Sequence, residues 1–224
     1  MDTREGLSID WWPWAFVAGG MLGCLGGLLH PDMDPTLSGP PVLAAWVGDP
    51  LWIPSHSMIL ASSLLFLPGL LGLVRSRVPL PRTARQPASV AAAASIVLIL
   101  ESIAHLAAAF DEAAVLAGQP TPFLTGHLMG AVIAYPLFGF SVAALAVLSG
   151  RSLAHPIIGV LGAIGAAAWG LAPLAVGPLG IDALGVLFSG GLLMAAWFAA
   201  VGLRALKRRR SDVLDTTTAS SAGS

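Results

Sequence analysis

Apolar residues run along this chain in blocks of about twenty, a length set by membrane thickness, and polar residues gather in the gaps. The blocks fall at residues 12–30, 53–74, 88–110, 123–148, 155–176 and 181–203. Crossing a hydrocarbon core of ~30 Å takes about 20 helical residues. The pattern therefore predicts an all-α, polytopic integral membrane protein, a bundle of about six transmembrane helices within residues 1–210. Pro173, Gly177, Pro178 and Gly180 interrupt the last two blocks and mark either a short loop or a kinked helix. Residues 211–224, "SDVLDTTTASSAGS", are small and polar, the composition of a disordered tail.

Composition agrees with a membrane setting. Hydrophobic residues make up 56% of the 224 and charged residues 10%, against roughly a quarter charged in a soluble domain. Cys24 is the single cysteine, so no intramolecular disulfide can form. It stands in "MLGC", which fits a lipoprotein signal poorly because only Arg4 precedes the apolar run and further apolar blocks follow.

Charge sets an expected orientation. Alternating spans put Arg4, Arg75, Arg77, Arg82, Arg85, Arg151, Arg204, Lys207, Arg208, Arg209 and Arg210 on one face, which is every Lys and Arg in the chain. By the positive-inside rule that face is cytoplasmic, so both termini are expected in the cytoplasm of a cell-membrane protein. The "KRRR" run after the last span reads as a topology anchor that meets anionic lipid, with the bilayer and not nucleic acid as the partner. Trp11, Trp12, Trp14, Trp46, Trp52 and Trp197 fall near span ends and are expected in interfacial belts. Glycines in the first and fifth spans, such as Gly19, Gly23, Gly162 and Gly165, are expected to let helices approach closely.

The chemistry lies in "ESIAHLAAAFDEAA", residues 101–114, which carries a glutamate and a histidine into the third span. At ~1.5 Å rise per residue, His56 lies about 9 Å below the outer end of its span, His105 and His127 about 7 Å, and Glu101 about 13 Å. Three helices thus bring imidazoles to one depth, and His30 can close over them from the first span. The 100° helical step puts Glu101, His105 and Glu112 on one face and turns Asp111 towards the outer loop. A carboxylate at that depth costs about 2.5 to 3.5 kcal/mol on insertion scales, more than one interhelical hydrogen bond returns, at about 0.6 kcal/mol. A functional pocket among spans two to four follows, with the last two spans as an apolar buttress.

Three kinds of chemistry fit such a pocket. His56, His105 and His127 are the candidate metal ligands, for zinc, copper or iron or as axial ligands of haem b, with Glu101 as a further ligand or as the carboxylate that orients one of the imidazoles. Alternatively Glu101 is a general acid, resupplied by His105 or Glu112, in a cofactor-free membrane enzyme that cyclises or isomerises a lipophilic, isoprenoid-like small molecule. The catalytic candidates on that reading are Glu101 and His105. A third reading is proton or ion transport, or pH sensing, at the outer face. HExxH, CxxC and CxxCH are all missing from the chain, so no motif selects among them.

Overall fold

The computed structural model describes residues 11–34, 36–76 and 78–221, with side chains as far as Ser211. It is all-helical, and no strand occurs among the described residues. The helices are α1 (Trp12–Leu28), α2 (Pro40–Val47), α3 (Trp52–Arg75), α4 (Arg82–Ala107), α5 (Glu112–Leu116), α6 (Pro122–Leu148), α7 (Pro156–Val176) and α8 (Gly190–Ser221). Prolines open several of them, at Pro13, Pro40, Pro122 and Pro156, where the missing N–H would have had no helical partner. A 3-10 segment, Asp182–Ser189, leads into α8.

Five helical segments are long and apolar enough to cross a membrane: Trp52–Arg75, Arg82–Leu116, Pro122–Leu148, Pro156–Val176 and Asp182–Ser211. The first expected span is represented by the 17 residues of α1, a shorter apolar helix. The interruption around Gly177 and Gly180 resolves as a turn, with Gly180 at φ 63°, a backbone state that favours glycine. The polar tail expected to be disordered carries helical backbone to Ser221, and residues 222–224 lie outside the described residues.

The long helices form a closed ring in chain order. α1 packs on α3, α3 on α4, α4 on α6, α6 on α7, α7 on α8 and α8 back on α1. Small residues close it: a Cβ on Gly20 would lie 2.5 Å from the Ala195 carbonyl of α8. The exterior is apolar, with Leu64, Ile96, Leu100, Ile133, Val160 and Ile164 all exposed. Such an exterior suits hydrocarbon and not water.

Two apolar clusters fill the interior. The larger is centred on Phe16, Phe66, Phe138 and Phe198, with Phe66 stacked on Phe198 at 4.2 Å between ring centroids. The smaller gathers Ala44, Val47, Trp52, Ala108, Val115 and Leu124 near the α2 end. At the opposite end Ser152 bonds to Pro79, and Arg208 donates to the Ser152 carbonyl at 2.9 Å, so the α3–α4 link, the α6–α7 link and the basic end of α8 meet.

The tryptophans depart from the expected belts. Trp11 and Trp14 are exposed, but Trp12, Trp52 and Trp197 are fully buried. A ring closed by glycines draws its aromatic side chains inward, where their area contributes more to packing than at an interface.

A buried histidine and carboxylate cluster as a candidate metal centre

On α3, α4 and α6 the polar residues occupy the gap between the two apolar clusters. His56 follows Trp52 by one turn, His105 and Glu101 precede Ala108, and His127 follows Leu124. Each is buried. Helical phase selects them: Trp52 and His56 are four apart, as are Glu101 and His105, so each pair shares an inward stripe.

The side chains form one connected network. His56 Nε2 lies 2.9 Å from His105 Nε2. His127 Nδ1 lies 2.5 Å from Glu101 Oε1, and the rings of His105 and His127 stack with centroids 3.5 Å apart. Tyr135 donates to Glu101 Oε1 and lies equally far, 3.4 Å, from His105 Nδ1. Trp169 of α7 stacks on Tyr135 and fixes its ring. The structure therefore joins His56, Glu101, His105 and His127, the residues selected from sequence.

His30 completes the group. It stands just beyond α1, and its ring centroid is 4.8 Å from that of His56. A ring nitrogen from each of His30, His56 and His105 lies within 4.8 Å of the others. Glu101, His105 and His127 form a second set with the same property, so His105 belongs to both.

Backbone carbonyls settle two of the tautomers. His56 Nδ1 is 2.7 Å from the Trp52 carbonyl and His30 Nδ1 is 2.9 Å from the Pro31 carbonyl. A carbonyl can only accept, so both Nδ1 atoms carry their protons and both Nε2 atoms keep a lone pair. His105 Nε2 then donates to His56 Nε2. An imidazole whose far N–H is held by a carbonyl is in the arrangement usual for metal-ligating histidine. Burial holds the His30 imidazole below its ordinary pKa, against the Pro31 carbonyl, which pulls it up. That keeps His30 neutral.

Tryptophans wall this group. Trp52 stacks on His56 at 4.0 Å and donates to the Leu106 carbonyl. Trp46 of α2 donates to the same Pro31 carbonyl that holds His30, and so ties α2 over the site. The sequence reading set Trp46 and Trp52 alike in interfacial belts; for Trp52 the four-residue spacing to His56 was the signal that could have turned it inward. Trp46 carried no such signal, because its part depends on how the 31–51 segment folds back.

Two details correct the sequence reading. Asp111 turns inward: it is buried, and its Oδ2 accepts from the Leu124 amide at 2.8 Å at the start of α6. Glu112 is exposed instead. The cause is a 3-10 turn over Ala108–Asp111, which advances the helical phase after His105. Haem finds no support either. Two axial nitrogens, each about 2 Å from iron, must lie about 4 Å apart across a macrocycle. His56 and His105 instead touch directly, with Trp52 and His127 stacked on their faces.

Glu101 shows an unmet demand. Its Oε2 is buried and has no hydrogen-bond partner among the described residues. Such an atom costs the full desolvation of a polar group unless a cation or proton meets it.

No protein-family model matches this chain, and no curated protein and no solved structure matches it either.

Proposed function

We propose that this is a membrane metalloprotein in which His30, His56 and His105 hold one transition-metal ion of the zinc or copper class, leaving one coordination position for a reactant. The observation that carries the reading is the convergence of three imidazole nitrogens within 4.8 Å, two of them on rings oriented by carbonyls. Tetrahedral bonds of about 2.05 Å separate neighbouring ligand nitrogens by about 3.3 Å, so the 2.9 Å between His56 and His105 needs to open by only a few tenths of an ångström. With the His105 proton moved from Nε2 to Nδ1, which faces Glu101 and Tyr135, three neutral imidazoles and a free position are the donor set of Lewis-acid zinc sites, and imidazole suits copper equally. The ion would supply Lewis-acid or redox chemistry. The protein's own part is to orient the imidazoles, wall them with Trp46 and Trp52, and set the Glu101–His127 pair beside them as a place to hold a proton.

On this reading all six apolar segments cross a cell membrane, α1 with its 17 residues included, and the basic end faces the cytoplasm. The site then opens to the outer side, with the bilayer as the surrounding partner. The phenylalanine cluster beyond Glu101 favours a closed site over a transmembrane relay.

The test is elemental analysis of the detergent-purified protein after zinc or copper loading. Wild type is expected to retain metal and His56→Ala to lose the ion at the imidazole set while keeping its helical circular dichroism. A folded wild type that retains no metal would sink the reading.

A further inference from the structure

The two donor sets share one ring, and that ring points a different nitrogen at each. His105 Nε2 faces His56, while its Nδ1 lies 3.7 Å from Glu101 Oε1 and 3.4 Å from the Tyr135 hydroxyl. The third side of that triangle, Tyr135 hydroxyl to Glu101 Oε1, is 3.4 Å. The point equidistant from the three atoms is about 2.0 Å from each, the length of a zinc bond to nitrogen or oxygen. These separations are long for hydrogen bonds between such groups.

From this geometry we infer a second metal site, made by Glu101, His105 Nδ1 and the Tyr135 hydroxyl, with His127 holding the carboxylate in place and His105 bridging the site to the first. Its occupant is a second divalent transition metal. The inference rests on the first site proposed above, because the bridge needs an ion on His105 Nε2.

Independent support comes from Glu101 Oε2, buried without a partner among the described residues in the same carboxylate. An adjacent cation removes that cost, because a carboxylate can hold a metal through both oxygens while Oε1 keeps its contact with His127. The site is also built from behind: Trp169 stacks on Tyr135 at 3.9 Å, and Gly130 leaves room for Glu101, whose Cγ would lie 3.2 Å from a Cβ there. Filling both sites turns His105 into an imidazolate, and its single ring proton leaves to solvent.

The experiment is a cobalt(II) titration of the chelator-stripped, full-length protein in detergent, with bound metal counted by elemental analysis. Wild type is expected to take two equivalents, and His30→Ala and Glu101→Gln one each. Tyr135→Phe, which keeps ring volume and stacking, should weaken the second equivalent by about 10-fold or more while leaving the first unchanged; it carries the test if Glu101→Gln fails to fold. Loading with copper(II) should give less than two spins in the paramagnetic resonance signal, because a bridging ring couples them. One equivalent in wild type, unchanged by Glu101→Gln and Tyr135→Phe, would overturn the second site and leave the first standing. No bound metal would overturn both.

Discussion

At the scale of single residues the buried network depends on where each proton sits. His30 and His56 are fixed by carbonyls, so each ring keeps an unprotonated Nε2 without any change of tautomer. Metal must compete with protons for those lone pairs. Because burial lowers the pKa of His30, that ligand stays neutral at pH 7, and protonation becomes favourable only below the usual imidazole value of about 6.5. Zinc affinity is therefore expected to hold from pH 8 to pH 6.5 and to fall on further acidification. Isothermal titration across that range checks it; affinity that rises on acidification would mean imidazoles are not the ligands. Trp52→Leu removes the ring stacked on His56 and the bond to Leu106 while leaving every donor in place. An affinity loss of about 10- to 100-fold, with unchanged stoichiometry, is expected from loosening a ligand's support. Much of this site was legible beforehand: His56, His105 and His127 share a depth, and Glu101 lies one turn deeper on the face of His105, both readable from helical geometry. His30 too was expected to close over them from the first span, whereas the ring contacts and the membership of Trp46 needed the fold of the segment between α1 and α3.

Elements are joined by close approach more than by large complementary side chains. Gly20 of α1 meets the backbone of α8, and Gly165 of α7 would place a Cβ 2.7 Å from the Gly190 carbonyl. A branched side chain at either point must push two helices apart. Gly20→Val is expected to destabilise the protein by about 1–3 kcal/mol through overpacking, read as a lower thermal midpoint in detergent, with metal stoichiometry unchanged in the fraction that stays folded. An unaltered midpoint would show that α1 and α8 have room to separate. Helix ends explain the one phase error of the sequence reading. A uniform 100° step carried from Glu101 to Glu112 ignores the 3-10 turn at Ala108–Asp111, so it placed Glu112 inside and Asp111 outside. The turn brings Asp111 to the Leu124 amide at the start of α6, a tertiary contact that no local pattern announces.

For the molecule as a whole, the ring of helices separates a polar end from an apolar middle. His30, His56, Glu101, His105 and His127 lie on the α2 side of the phenylalanine cluster, and Arg151, Arg204 and Arg208 gather at the far end. Orientation can be checked directly. In a Cys24→Ser background, Gln119→Cys is expected to react with a membrane-impermeant thiol reagent on intact cells, and Ser211→Cys only after lysis; the reverse result would invert the topology. Helices, their apolar character and the depth of the buried polar groups were determined by the sequence itself, because a hydrocarbon setting demands long apolar runs and makes every interior charge conspicuous. Which nitrogen faces which oxygen, the burial of Trp12, Trp52 and Trp197, and the sharing of His105 between two donor sets were decided only by tertiary structure. Those properties depend on how far neighbouring helices rotate and how closely glycine lets them approach, and a shift of an ångström there separates a hydrogen bond from a metal-binding distance.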